Sequence, residues 1–319
     1  MKIIEQTQPA RFDKAVVFCC DDNYLPFALF AARQIALLPG ERDYDICIVS
    51  ADMVDLPQSL QGLGLRVCRV DLDDMFEGQS LNGHFTEASY IRLGLPMAIG
   101  DAYRRILYLD SDVFVEGGDL SALMEIDMGA HCVAAVRDIW QWFTPGRPAA
   151  EFDTAGLSQA SYFNSGVLVI DSAAYQLQNI LDQCLETGRR LNGKLLLVDQ
   201  SLLNIALHKK WAELPPKWNW QLSMKRPFFE QIEGPNIIHF ISWAKPWNGD
   251  AKGGLPPRYR KAYARFLKAY FPHIQVEEPT RNRLREPLSL LIILLRHVAT
   301  RRKLLRYLDR FAHDLDVKT

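Results

Sequence analysis

Residues 104–115 read RRILYLDSDVFV. The apolar run from Arg105 to Leu109 delivers Asp110 and Asp112, separated by Ser111, and a second run from Val113 to Val115 follows. In an extended chain side chains alternate with period 2, so carboxylates two residues apart point the same way. Such a pair can hold a hard divalent cation, and the cation can neutralise a diphosphate. A solvated turn or a capping pair is the plain alternative, since Asp-x-Asp by itself is common.

The same grammar repeats outward from this stretch. Ala15 to Cys20 is a short apolar run ending in Asp21-Asp22-Asn23, and Leu25 to Leu38 then reads as a helix that stops near Pro39-Gly40. Tyr44 to Val49, Leu65 to Val70, Cys132 to Val136, Ser165 to Ile170 and Asn236 to Phe240 read as strands, with a polar, helix-like stretch at Leu56 to Leu63. Helices are expected from Tyr175 to about Leu191, from Gln200 to Lys210 and from Arg258 to Ala269, with Trp211 to Pro227 irregular. This alternation predicts an α/β fold built on a single, mainly parallel twisted sheet flanked by helices. Ligands of such sheets bind outside the carboxyl ends of the strands, so the polar residues after these runs are the candidates for chemistry.

The 319 residues hold 37 Lys and Arg against 38 Asp and Glu, which gives no reason to expect nucleic acid as a partner. The balance is uneven along the chain. Residues 281–319 carry ten Lys and Arg against four acids, whereas the 280 residues before them have seven more acids than bases. The expected organisation is a body over 1–278 and a basic amphipathic tail over 279–319. In the tail, Leu288 to Leu295 is followed by His297, Arg301, Arg302, Lys303, Arg306 and Arg310, interleaved with Leu304, Leu305, Tyr307, Leu308 and Phe311. That pattern fits a helix lying on an anionic membrane surface, with packing on the body or on a second subunit as the alternative. Thr300 to Lys303 interrupt the apolar stripe and argue against one continuous helix.

No apolar run approaches the roughly 20 residues of a membrane span, and the N-terminus lacks the pattern of a secretory leader. The six cysteines lie mostly in apolar runs without ligand spacing and read as buried thiols. The expected location is the cytoplasm, peripheral on the inner face of the cytoplasmic membrane through the tail.

His239 lies in PNIIHFISWAKPWNG, six residues before Lys245. An imidazole is a suitable third ligand for Mn²⁺, which tolerates mixed nitrogen and oxygen sites, and a lysine ammonium suits a phosphate oxygen. Each residue alone is equally a strand-end histidine or a surface lysine.

Taken in order, AVVFCCDDNY, FTEASYIRLGLP, YRRILYLDSDV, YFNSGVLVID, VDQSLLN and HFISWAKPW make residues 14–250 resemble glycosyltransferase family 8. The resemblance is closest to its bacterial lipopolysaccharide α-galactosyl- and α-glucosyltransferases. It implies a GT-A fold with a Rossmann-like nucleotide-binding half. It also implies a retaining transfer of hexose, dependent on Mn²⁺ or alternatively Mg²⁺, from UDP-galactose or UDP-glucose to a saccharide acceptor such as a lipopolysaccharide or other lipid-linked glycan. By motif position, Asp110, Asp112 and His239 would be the metal ligands, and Asp21 and Asn23 would meet uracil and ribose. Ser242 and Lys245 would meet the diphosphate. Arg92, Asp138, Asn164, Asp199 and Gln200 would surround the donor sugar, with Gln200 and Asp199 the catalytic candidates. Ser242 is a departure, because many relatives carry Gly in HxxGxxKPW.

Plain readings stand beside these assignments. Arg92 suits an amphipathic helix, Asp138 a loop, Asn164-Ser165-Gly166 a turn into a strand, and Asp199 the first turn of a helix. Two other functions compete: a phosphoryl-transfer enzyme, although Phe114 stands where its motif wants Thr or Val, and a non-catalytic sugar-nucleotide-binding or scaffold protein.

Overall fold

Strict alternation in the buried strands gives the sheet two apolar faces. Val16 and Phe18 pack into one layer, and Ala15, Val17 and Cys19 into the other. The computed structural model describes residues 1–52, 54–72, 87–191, 195, 198–248, 254–279 and 282–319; Phe85 and Thr86 of the FTEASYIRLGLP stretch and Arg281 of the tail lie outside them. In chain order the strands are β1 (Lys2–Gln6), β2 (Lys14–Cys19), β3 (Asp45–Ser50), β4 (Arg66–Asp71), β5 (Arg105–Leu109), β6 (Val113–Val115), β7 (Val133–Arg137), β8 (Phe163–Asp171), β9 (Ala212–Glu213), β10 (Trp220–Gln221) and β11 (Ile237–His239). The helices are α1 (Leu25–Ala36), α2 (Glu87–Ile99), α3 (Leu120–Met124), α4 (Ile139–Phe143), α5 (Ala150–Ala155), α6 (Ser172–Leu177), α7 (Ile180–Leu191), α8 (Val198–Ala206), α9 (Phe229–Glu233), α10 (Pro257–Tyr270) and α11 (Pro287–Leu308).

The main sheet has the order β1-β4-β3-β2-β5-β8-β7-β9. The pairs β2/β3, β3/β4, β2/β5 and β7/β9 are parallel, and β1/β4, β5/β8 and β7/β8 are antiparallel. The expected mostly parallel α/β sheet is present. The expectation of a single sheet is corrected: β10, β11 and β6 form a second, three-stranded sheet. Two- and three-residue strands such as these leave no periodicity to read. The mostly exposed edge strand β1 also escaped the sequence reading.

Three local expectations change. The helix expected from Tyr175 to Leu191 is two, because Asn179 takes a left-handed φ of 53° between α6 and α7. Asn164-Ser165-Gly166 is part of β8 rather than a turn before it. The tail helix α11 runs unbroken through Thr300–Lys303 for 22 residues. Its inward face, Ile293, His297, Leu304 and Tyr307, keeps helical spacing past the polar stretch and is buried.

This inward face lies on the body. Tyr307 stacks on Trp142 at 5.9 Å, and His297 Nε2 accepts from the Phe228 amide at 3.1 Å. Glu213, at the end of β9, accepts from Tyr307 at 2.7 Å, pairs with both terminal nitrogens of Arg310 at 2.9 Å, and takes a bond from Arg137 at 2.5 Å. Burial would raise the Glu213 carboxyl, but Arg310 and Arg137 outweigh it and hold the carboxyl below its ordinary value. Trp142, Trp218 and Trp220 are buried packing residues.

Candidate active site

The chain leaves β5 at Leu109, turns through Asp110-Ser111-Asp112 and enters the small sheet as β6. The two carboxylates therefore converge across a turn and not along an extended pleat, which corrects the geometry expected from period 2. His239 arrives by strand pairing: β11 runs antiparallel to β6 with His239 opposite Val113, the residue after Asp112. One ligand atom from each of Asp110, Asp112 and His239 falls within 4.8 Å of the others.

The orientation of the imidazole is fixed from behind. Its Nδ1 lies 3.1 Å from the side-chain oxygens of both Asn164 and Asn219, so the hydrogen sits there. Nε2 then faces Asp112 Oδ1 at 3.1 Å and Asp110 Oδ2 at 3.6 Å. Asp112 Oδ1 is buried without a hydrogen-bond partner despite this proximity. A nitrogen lone pair and an orphaned carboxylate oxygen turned toward one point are what a divalent cation would satisfy, and the mixed donor set suits Mn²⁺. Burial would raise the Asp112 carboxyl, but the Lys245 ammonium reverses this and holds it well below the usual range. The Lys245 ammonium bonds both Asp112 Oδ2 and the Phe240 carbonyl.

Gly166 makes room for this convergence. A Cβ there would stand 2.2 Å from His239 Cε1 and 2.8 Å from Asp110 Oδ2. The strand carrying it is bulged: Ala135 pairs with Leu168 but Val136 with Asn164, so residues 165–167 have no counterpart on β7. The bulge turns Asn164 and Ser165 toward the first turn of α8.

There Gln200 Oε1 accepts from Asn164 Nδ2 at 3.1 Å and the Ser165 amide at 3.0 Å, while its Nε2 donates to Asp138 Oδ2 at 3.3 Å. Burial pushes the Asp138 carboxyl up to about 6. Arg92, from α2, joins the halves of the site by pairing with Asp110 Oδ1 at 2.9 Å and Asp199 Oδ2 at 2.8 Å and donating to Ser165 Oγ at 3.0 Å. Burial also raises Asp199, with Arg92 opposing it.

Asp110, Asp112, His239, Lys245, Arg92, Asp138, Asn164, Asp199 and Gln200 thus form one connected cluster. Ser242 lies in the same loop as Lys245 with its hydroxyl on the Ala244 carbonyl at 3.3 Å. Asp21 and Asn23 follow β2, where Asp21 accepts from the Tyr24 amide at 3.0 Å and Asn23 is exposed; among the described residues neither bonds the cluster. Sequence reasoning missed Tyr108, which donates to Asp110 Oδ1 at 2.6 Å, and Asn219, which braces His239. Alternation along β5 could have found Tyr108, two residues before Asp110. Nothing local marks Asn219.

A carboxylate-histidine centre thus stands at the carboxyl end of β5, backed by this polar wall on a mostly parallel sheet, with the donor set for a divalent cation. The sequence profile of glycosyl transferase family 8 matches residues 15–251, and the chain belongs to that family. It is 29% identical over 276 residues to general stress protein A of Bacillus subtilis strain 168, spanning 79% of this chain and 92% of that relative. It is 26% identical over 174 residues to the lipopolysaccharide 1,3-galactosyltransferase of Salmonella typhimurium, spanning 52% of this chain and 50% of that enzyme. The fold is similar to that of the galactosyltransferase LgtC, solved with donor and acceptor sugar analogues, at a TM-score of 0.62 and 22% identity over 79% of this chain and 95% of that one.

Proposed function

We propose that this protein is a retaining, metal-dependent hexosyltransferase moving galactose or glucose from a UDP-sugar to a saccharide acceptor, a lipopolysaccharide or other lipid-linked glycan. The observation that carries the reading is the convergence of Asp110, Asp112 and His239 beside Lys245. Those three residues would hold Mn²⁺, which when bound neutralises charge on a departing diphosphate. Lys245 adds a second positive charge at that place, Ser242 shares its loop, and Asp21 and Asn23 are assigned to the base and ribose.

Donor cleavage develops positive charge on the anomeric carbon and negative charge on UDP. Retention by double displacement needs a free carboxylate on the face opposite UDP. Gln200 is an amide whose oxygen already accepts from Asn164 and Ser165, and Asp199 is tied to Arg92. This favours same-face attack, with a phosphate oxygen of the leaving group taking the acceptor's proton. Gln200 and Asp138 would then orient the sugar, with Asp199 the reserve nucleophile.

The tail supports a lipid-linked acceptor. Leu288, Leu291, Ile292, Leu295 and Val298 are exposed on the face of α11 turned from the body, and Arg302 and Arg306 continue that face. Such a face suits an anionic membrane surface, here assigned to the inner face of the cytoplasmic membrane. No described helix is long and apolar enough to cross a membrane.

The test is UDP release from a panel of UDP-sugars without acceptor, in Mn²⁺, Mg²⁺ and chelator, for wild type and Asp110→Ala. Slow metal-dependent hydrolysis of one donor, falling at least about 100-fold in the variant, is expected. Absence of both hydrolysis and metal-dependent UDP binding would overturn the reading in favour of a non-catalytic protein.

A further inference from the structure

A cleft of about 290 Å³ separates Lys245 from the start of the tail. Four cations line it, Lys245, Arg260, Lys261 and Arg285, against the single carboxylate of Glu278. This wall is strongly positive in a chain whose first 280 residues are net acidic. Two of the cations are already engaged, Lys245 by Asp112 and Arg260 by Glu278. Lys261, from α10, and Arg285, from the segment just before α11, are both exposed. Asn282, also in the lining, holds a buried side-chain oxygen without a partner.

The position of the cleft matters as much as its charge. On one side Lys245 reaches the candidate metal centre through Asp112. On the other, Arg285 lies three residues before Leu288, where the exposed apolar row of α11 begins. A group bound here would sit between the transfer site and the membrane-facing row.

We infer that this cleft is a phosphate subsite for the acceptor: it takes a phosphate ester carried by the lipid-linked saccharide, with Lys261 and Arg285 as the binding cations and Asn282 accepting from an adjacent hydroxyl. The chemistry is charge-assisted hydrogen bonding of an anion, with a neighbouring acceptor that a bare halide or carboxylate would not use. The inference rests on the acceptor reading above and narrows it to acceptors phosphorylated near their lipid end.

The test uses the full chain in chelator, so that no metal recruits the anion, and sn-glycerol 3-phosphate as the probe, with glycerol as the uncharged control. Titration by NMR or calorimetry is expected to show binding of the phosphate and not of glycerol. Lys261→Ala/Arg285→Ala should weaken it about tenfold or more, whereas Arg189→Ala/Arg190→Ala, which removes the same charge from exposed positions of α7, should stay within about twofold. Flotation with phosphatidylcholine vesicles, with and without phosphatidic acid, separates the sources. Phosphatidate-dependent flotation lost in the cleft variant assigns the subsite to a lipid phosphate, and flotation unchanged assigns it to a phosphate on the saccharide. Equal binding by wild type and the cleft variant, or equal loss in the α7 control, would overturn the inference. So would a parallel loss of UDP affinity in Mn²⁺, which would make the cleft part of the donor site. Failure of wild type to bind UDP at all would instead count against the donor reading and leave the phosphate result standing.

Discussion

Replacing Gly166 by alanine adds one methyl group, and the structure says where it goes. The new Cβ would lie 2.2 Å from His239 Cε1, 2.6 Å from Nδ1 and 2.8 Å from Asp110 Oδ2, where ordinary contact begins near 3.4 Å. The ring must therefore retreat by about 1 Å, the size of misplacement that costs on the order of 100-fold in rate when reacting groups lose alignment. Retreat is opposed from behind, because Asn164 and Asn219 hold Nδ1 and the His239 backbone is paired to Val113. Overpacking of this kind costs about 1–3 kcal/mol of stability, which leaves a protein of this size folded. Gly166→Ala should thus unfold cooperatively at a lower midpoint while metal-dependent UDP release falls about 100-fold and the Mn²⁺ needed for half-maximal activity rises. Denaturant unfolding and a metal titration on the same preparation read both effects. A variant with Mn²⁺ dependence and turnover within about threefold of wild type would refute the placement of His239 and Asp110 around one cation.

The remaining expectations concern a buried acid, a buried ion cluster and the tail. Asp138 titrates near 6 in the fold against 3.8 for a free aspartate, so the folded protein holds a proton that the unfolded chain has released, and wild-type stability falls as pH rises between those values. Asp138→Asn lacks that penalty. Its stability relative to wild type should rise by about 3 kcal/mol from pH 4 to pH 8 in urea unfolding, and a flat difference refutes the burial argument. Glu213→Ala strands Arg137 and leaves Tyr307 and Arg310 without their shared acceptor, which should cost about 3–5 kcal/mol. Because the Glu213 carboxyl is depressed, its contribution is full above the ordinary value of about 4.3 and is lost as pH falls below it, so the variant should converge on wild type in acid. A loss under about 1 kcal/mol at neutral pH would show that the tail is not held there. Leu291→Glu/Leu295→Glu places charge on the exposed row without touching the buried face, and should abolish flotation with anionic vesicles at unchanged thermal stability. Unchanged flotation would remove the membrane role from this face.

Much of this architecture is legible in the amino-acid sequence. Buried strands in α/β sheets must be apolar on both faces and must end in polar residues where ligands bind, so β2, β3, β4, β5 and α1 could be read from 14–71 and 105–109. The two-residue spacing singled out Asp110 and Asp112, although they converge across a turn, whereas Asp199 and Gln200 were named by the motif resemblance, with the first turn of a helix as the plain reading of Asp199. Two of the corrections occur where a distant neighbour decides. Nothing local in Thr300–Lys303 reveals that the buried spacing of α11 continues across it, since that depends on Trp142 and Glu213 of the body. The bulge at 165–167 exists because β8 is paired on both edges with different registers, which a single strand cannot record.

The class of fold, the carboxylates that could hold a cation and the uneven charge of body and tail can be read from the chain alone, because periodicity, turn chemistry and net charge are properties of short windows. Motif order also named His239, but that its ring meets both carboxylates, that Asn164 and Asn219 set its tautomer, that Gly166 must lack a side chain, and that Arg92 ties Asp110 to Asp199 depends on the packed fold. Those are contacts between segments that meet only when β6 pairs with β11 and α8 packs on β8. Their geometry is fixed by strand register and burial, and neither is written in any one stretch of the chain.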